Sequence, residues 1–516
     1  MKKLLCLVLA LLMMLSIVPA VAEEDVLPIV DKEITLTAGI VYAAHMGDFT
    51  KYEIWDYIRE KTGINIELVV YNSAEQVALM MAGAEYPDIL FRTDMKAAAF
   101  NEAVEFGDFL PLNDLIEQYI PRAAKFFEEY PLVKQLSTEA DGNMYFLPYC
   151  EVNESSAELR DIWAINKNWL AELNMEKPTN LEEFTAYLRA VKAAAGTGTI
   201  PENVIPYHFM AFNNICGDYD LYASFGVFNG LNGTYVDNGV VKHNWTNPLI
   251  KQVIQYEQML YKEGLISPEA FTVDWSGIQA FVNAADCTVG SMSAFSFGQP
   301  HWDYLLPLDT GNGEQPYFRK QTLSVLKSFI IPKNCKDPVA AAKLVNFMLS
   351  DEMAKWCAVG AEGYGYYYDE QGRFTRLTTS MTYVEETKRG PANFSIGLRS
   401  GDFVKMLNRS SAEDPTNRIY QFYNVFVPGG YIAPDTLITF PSIPAAFYPE
   451  MSDEDEAVMN QGWSDAVTFA KAKISEWIVN GGDVEAEWDA YVAQFESYGT
   501  NDYIAYRQAA YENFTK

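Results

Sequence analysis

The sequence predicts an α/β protein of two or more domains, with a parallel sheet near its start and a helical C-terminal region. Three observations carry this. Apolar and polar residues alternate over 33–40 and again over 64–70, with a helical spacing between the two runs. The stretch 33–91 therefore reads β–α–β–α–β, an order that a parallel sheet with crossover helices satisfies. The chain has 516 residues, more than one hydrophobic core accommodates.

The elements follow in order. Ile34, Leu36, Ala38 and Ile40 form one face of a strand. A helix is predicted over Thr50–Thr62, with Ile54, Trp55 and Ile58 inward and Gly63 as its stop. Ile64, Ile66, Leu68 and Val70 form the second strand, and Ser73-Ala74-Glu75-Gln76 is a capping box opening the next helix. Pro87-Asp88-Ile89-Leu90-Phe91 supplies the third strand. Ligands of such sheets sit beyond the carboxyl ends of the strands, which directs attention to 42–48, 71–72 and 92–94. These turns hold no GxGxxG or P-loop sequence.

Further on, Asp141-Gly142-Asn143 is a turn before a strand over Met144–Tyr149, and Ile162–Ile165 is another apolar run. Thr179-Asn180-Leu181-Glu182 reads as a second capping box, with Leu181, Phe184, Leu188 and Val191 as the stripe of its helix. A helix is predicted over Leu249–Glu263, closed by Gly264. Cys287–Ser293 reads as a strand. Asp337-Pro338 and Ser350-Asp351-Glu352 open two more helices. A loop-rich stretch runs from Tyr364 to about Pro449. Two helices follow, at Trp463–Val479 and Trp488–Ser497.

Residues 1–22 read as a signal peptide: Lys2 and Lys3, an apolar run from Leu4 to Val18, then Ala20-Val21-Ala22 before Glu23. Cys6 lies inside the apolar run, where a lipid-anchor cysteine does not belong. An exported chain without an evident lipobox is expected. With 69 Asp and Glu against 38 Lys and Arg, the formal charge is −31, which excludes nucleic acid as a partner. Cys150, Cys216, Cys287, Cys335 and Cys357 have wide spacings and no metal pattern, so they read as buried small apolar residues. Aromatics make up 14% of the chain, as a large core or as stacking faces for sugar rings.

Several segments carry a family resemblance. They are Ile165-Asn166-Lys167-Asn168-Trp169-Leu170 with Pro178-Thr179-Asn180-Leu181-Glu182-Glu183-Phe184, Leu344–Ser350 with Gly360-Ala361-Glu362-Gly363-Tyr364, Asp141–Pro148, Glu263–Glu269, and the tail Phe469–Trp488. In this order they resemble the extracellular solute-binding proteins of carbohydrate-type ABC importers, in the long lipoprotein-like branch of family 1. The resemblance implies a two-lobe periplasmic-binding-protein-like (type II) fold, with a hinge and an oligosaccharide held between the lobes. Lobe I is expected over 33–155 plus about 322–375, and lobe II over 160–320 plus about 376–516, the latter with the helical tail. The partners implied are an oligosaccharide and membrane permease subunits. The chain itself is expected to be a monomer that does no chemistry and needs no cofactor.

Carried onto this sequence, the expected ligand-binding residues are Arg92 and Asp94 after the third strand, then Tyr149, Glu151 and Trp163 around the crossover. Phe295, Phe297, Glu362 and Tyr364 complete the set. Some relatives hold calcium in an Asp/Asn-rich loop after the PTxLEEF helix. Here residues 196–203 retain only Glu202 and Asn203 as side-chain ligands of that kind, so no metal is expected.

The rival readings are a secreted glycosidase, a surface sensor or adhesin, and a ferric-iron binder using Tyr366–Tyr368. A glycosidase needs two carboxylates about 5–10 Å apart, and Glu151 with Asp88 or Glu362 are the acids at hand. The four histidines form no triad and no HExxH pattern.

Overall fold

The computed structural model describes residues 25–41, 47–93, 95–152, 162–284, 286–294, 300–318, 325–377, 384–390, 398–413 and 418–516. The chain divides into two compact units. Unit 1 is Met1–Glu151 with Val325–Phe403, and unit 2 is Val152–Ser324 with Val404–Lys516.

Unit 1 begins with β1 (Ile34–Val41), α1 (Glu53–Thr62), β2 (Ile64–Tyr71), α2 (Ala74–Gly83), β3 (Ile89–Phe91) and α3 (Ala97–Glu105). Short helices α4 (Asn113–Tyr119), α5 (Pro121–Glu129) and α6 (Pro131–Leu136) lead to β4 (Leu147–Glu151). In unit 2, β5 (Ile162–Asn166) is followed by α7 (Lys167–Glu172), α8 (Leu181–Ala193), β6 (Ile205–His208) and α9 (Tyr219–Ser224). Then come β7 (Thr234–Asp237), β8 (Val240–His243), α10 (Ile250–Lys262), α11 (Trp275–Asn283), β9 (Val289–Ala294) and β10 (Trp302–Tyr304). The chain re-enters unit 1 with β11 (Leu326–Ile330), α12 (Pro338–Met348), α13 (Asp351–Val359), β12 (Tyr366–Tyr368), β13 (Phe374–Arg376) and β14 (Leu398–Arg399). The helix α14 (Gly401–Glu413) spans the last boundary. After it, unit 2 closes with α15 (Arg418–Gln421), β15 (Leu437–Thr439), α16 (Asp453–Glu476), α17 (Val484–Glu496) and α18 (Thr500–Thr515).

The first sheet has the order β14-β4-β11-β3-β1-β2. Its parallel end, β3-β1-β2, is set by local signals. β1 and β2 pair in parallel from Ile34↔Ile64 to Val41↔Tyr71, and Leu36, Ala38 and Ile40 face the core. Gly63 ends α1 with φ of 76°, where a side chain would be strained. Ser73 caps α2 by accepting from Gln76 N, and the Gln76 amide oxygen accepts from Asn72 N at 2.7 Å. Asp88 ties three segments together, accepting from Thr37 N and Oγ1 at 2.8 Å and from Lys336 N at 3.0 Å. Burial pushes its carboxyl up, but these hydrogen bonds outweigh burial and hold it below the usual range. Asp88 is thus a structural anchor, not a catalytic acid.

The second sheet has the order β10-β5-β9-β6, with only β6 and β9 parallel. Each sheet thus holds one interior strand, β11 in the first and β5 in the second, that runs against all the others. The core of unit 2 is aromatic: Trp163, Phe184, Tyr207, Trp245, Trp477 and Phe495 are all buried. Much of the aromatic content is spent there. Cys150, Cys216, Cys335 and Cys357 are buried and Cys287 is half-buried, and none of these five is in a disulfide.

Three expectations are corrected. Residues 376–403 belong to unit 1, because β14 pairs in parallel with β4 and Glu386 accepts from Asp48 N at 2.7 Å. The cap of α8 is shifted by one residue. Asn180 accepts from Glu183 N at 2.9 Å, and the Glu183 carboxylate accepts from Thr179 N at 2.8 Å. Both registers satisfy the same sequence pattern, and the observed one leaves Phe184, Leu188 and Val191 buried. The loop-rich stretch also contains the 13-residue α14, with Val404 and Leu407 buried.

Candidate functional site

The candidate site in unit 1 is built on one edge of the sheet. β3 and β4 are both antiparallel to β11, so they run parallel to one another and to β1. β14 is parallel to β4. The carboxyl ends of β1, β3, β4 and β14 therefore share one edge, the edge where open α/β sheets take ligands.

Three side chains meet there. Arg92 directly follows β3, with φ of 29° and its amide donating to Ser328 O at 2.6 Å. Its guanidinium lies 5.7 Å from the centre of the Tyr149 ring on β4. The Arg399 guanidinium on β14 lies 5.2 Å from the same ring, and its Nη1 donates to Tyr149 Oη at 3.3 Å. Arg399 is only 8% exposed, so its direction is fixed by packing. Thr93, next to Arg92, is buried, and its hydroxyl has no hydrogen-bond partner among the described residues.

Guanidiniums keep their charge and present several fixed donors. Two of them, 5.7 and 5.2 Å from the centre of one phenol ring, give charge-assisted donors beside an aromatic surface. That combination suits a polyol with exposed C–H faces.

A second group stands at the same edge, around the chain that follows β1. Glu386 receives the Asp48 amide, and Lys388 pairs with Glu53 while its ammonium lies 5.1 Å from the centre of the Tyr364 ring. Hydrogen bonding to Glu53 raises the Lys388 pKa, and the same bond lowers that of Glu53. Tyr364 is 45% exposed. Glu362 is also exposed, and its backbone bridges to Tyr366. Tyr366 is buried and stacks on Phe374 at 4.9 Å, while Tyr367 and Tyr368 are exposed, the Tyr368 ring resting 5.9 Å from that of Tyr366. The three tyrosines thus form a hairpin strand rather than a convergent ligand set. Among the described residues, no three His, Cys, Asp or Glu side chains group to hold a metal.

Trp163 is a correction. It is wholly buried in unit 2, its Nε1 donates to Ser291 Oγ at 2.9 Å, and it packs on Phe184 and Tyr207. Both its face and its donor are used, so it belongs to the core and offers no platform. Asp94, Phe295, Phe297 and the side chain of Glu151 lie outside the described residues. Sequence reasoning missed Arg399. It sits on a two-residue strand inside an irregular stretch, and only its distant pairing with β4 gives it a place.

The loop at 196–200 is held by a protein carboxylate. Glu172 accepts from Thr199 N at 3.0 Å and from the Thr199 hydroxyl. Gly198, with φ of 54°, leaves room for it, since a Cβ there would lie 1.7 Å from Glu172 Oε1.

Comparisons with known proteins agree on the fold. A profile of the family described as bacterial extracellular solute-binding protein matches residues 43–355, more than half of the chain. The fructooligosaccharide ABC transporter substrate-binding protein FusA of Streptococcus pneumoniae is 24% identical over 479 residues, covering 89% of this chain and 86% of that protein. The structure of FusA with kestose superposes with a TM-score of 0.76 at 22% identity, covering 93% of this chain and 99% of FusA. An HMO-binding, ABC-transporter-associated solute-binding protein of Bifidobacterium longum infantis gives a TM-score of 0.73 at 20% identity, covering 94% and 100%. At these identities the structural likeness carries the fold. No helix among the described residues is long and apolar enough to cross a membrane.

Proposed function

Since the chain belongs to the bacterial extracellular solute-binding protein family, we propose that it captures an oligosaccharide outside the cell and delivers it to the membrane permease of an ABC importer. The observation that carries the sugar assignment is the pair of guanidiniums beside Tyr149 at the carboxyl edge of the first sheet. The relatives named above add support: FusA is named for fructooligosaccharides and is seen with kestose, and the Bifidobacterium protein is described as HMO-binding. In this reading Arg92 and Arg399 donate to sugar hydroxyls, Tyr149 and Tyr364 offer ring faces, and Glu362 accepts. Asp94, Glu151, Phe295 and Phe297 are proposed to complete the contacts. The protein acts as a monomer.

Arg92→Ala tests the assignment. It removes one charge-assisted donor, worth about 1.5–3 kcal/mol. The dissociation constant for the bound sugar should rise roughly tenfold or more in titration calorimetry, with the melting temperature little changed. An unchanged affinity would remove Arg92 from the site.

Export is proposed to follow cleavage after Ala22, from the small residues Ala20 and Ala22 around Val21. N-terminal sequencing of secreted protein should begin at Glu23. A start that retains residues 1–22 contradicts the cleavage.

A further inference from the structure

A groove of about 440 Å³ lies between α2 and α3, away from the residues assigned to sugar. Its apolar lining is Ala78, Met81, Ala82, Ala99, Ala103 and Phe106. Alanines leave room for a partner side chain to approach closely. Two large apolar residues stand in solvent on the same helical pair: Leu79 is 72% exposed and Phe106 is 70% exposed. Isolated exposed apolar residues are ordinary, but here they accompany an apolar concavity.

The electrostatics are one-sided. The groove takes in the second half of α2, from Ala78 to Ala84, and nearly all of α3, from Ala99 to Phe106, and so includes the C-terminal end of each helix. Helix C-termini carry partial negative charge, and neither α2 nor α3 has a basic residue in its last turn. Glu102 and Asp108 line the groove, and Glu85 and Glu105 are exposed beside it in sequence. Asp108 is further placed by the Tyr86 hydroxyl, which donates to it at 3.0 Å. The lining holds no Lys, Arg, Asn or Gln, so its polar side chains are the acids Glu102 and Asp108 and the Tyr86 phenol.

These features select the occupant. An anionic lipid surface would be repelled by the acids. A second copy seated symmetrically on the same groove would bring acid against acid. The complement is a protein segment with a large apolar side chain flanked by Lys or Arg. We propose that the α2–α3 groove docks such a segment on the extracellular face of the membrane permease. This rests on the transport reading above and adds the surface and the chemistry of contact. The groove is small beside the ~1,600 Å² of a standard stable interface. A carrier that must dock and leave needs a contact of this weaker kind.

The test uses the full chain with its cognate permease in proteoliposomes, reading sugar affinity by calorimetry and sugar-stimulated ATP hydrolysis. Two variants are compared with the wild type: Leu79→Ser with Phe106→Ser, and Glu102→Lys with Glu105→Lys. Both pairs should keep sugar affinity within about twofold, which also reports their folding. Both should lower ATPase stimulation at least tenfold at equal concentration. Stimulation by the wild type should weaken as salt rises, and the charge-reversed pair should lose that dependence. Full stimulation by both variants overturns the groove as the docking surface and leaves sugar capture standing. A wild-type protein that binds no sugar and gives no stimulation overturns the transport reading, and the docking surface with it.

Discussion

Replacing Trp163 by alanine should lower folding stability by about 3–5 kcal/mol, the usual cost of emptying a large buried aromatic site. The side chain is fully buried, its indole N–H donates to Ser291 Oγ at 2.9 Å, and the Phe184 and Tyr207 rings pack against it at 4.9 and 6.1 Å. Loss of the indole also takes a donor from Ser291, whose own hydroxyl donates to Ala164 O at 2.8 Å. The hydrogen-bonded network and the aromatic packing fail together. Sugar affinity of the folded fraction should stay within about twofold of the wild type. Urea unfolding and calorimetry on the same preparation separate the two effects. Intact stability with lost affinity would return Trp163 to the ligand.

The second large effect is acid lability from two desolvated histidines, His208 buried and His243 half-buried. Desolvation lowers His208 and His243 from the ordinary imidazole value of 6.5 to about 4. His208 is buried edge-on to Phe281, with neither ring nitrogen hydrogen-bonded among the described residues. His243 lies between the Trp463 and Phe495 rings, at 5.5 and 5.3 Å. The folded state resists protonating them, whereas the unfolded chain does not. Their contribution is complete above pH 6.5 and is lost as pH falls from 6.5 toward 4, by about 3 kcal/mol each.

An opposite trend comes from Asp218 and Glu257, both buried in unit 2. Desolvation raises both carboxyls, most strongly Glu257. Their contribution is present at low pH and is lost as pH rises through the raised values. The histidine effect is therefore read as a difference between proteins. Between pH 7 and pH 4 the wild type should lose several kcal/mol more stability than His208→Leu with His243→Leu. Equal losses in both proteins would mean that the histidines are not neutral and desolvated.

The parts of the fold legible in the sequence are those fixed by neighbours along the chain. Gly63, Ser73, Gly264, Ser350 and the pair Asp337-Pro338 each mark a helix end through their own backbone or side-chain chemistry, and each stands where expected. The β1–α1–β2–α2–β3 order follows from periodicity alone. What depends on distant pairing was not legible. The placement of 376–403 rests on β14 meeting β4, some 250 positions earlier. Arg399 enters the site by that same pairing, and no local pattern marks it.

The site divides along the same line. Arg92 can be named because it follows a strand end, where open α/β sheets take ligands, and Tyr149 because the resemblance places the crossover there; the structure sets the Arg92 guanidinium 5.7 Å from the centre of the Tyr149 ring. Trp163 carries the same local signal, a large aromatic in a short strand. Composition does not distinguish a ring that stacks on sugar from one that fills a core. The partners that decide it, Phe184, Tyr207 and Ser291, come from three other segments.

The most direct measurement is titration calorimetry of the wild-type protein against fructooligosaccharides such as kestose and against HMOs, with chromatography of the mixture afterwards. Capture for transport predicts saturable one-site binding to at least one of these, weakened by Arg92→Ala, with the sugar recovered intact. Absence of binding across the whole panel, or steady cleavage of a sugar that binds, would contradict it.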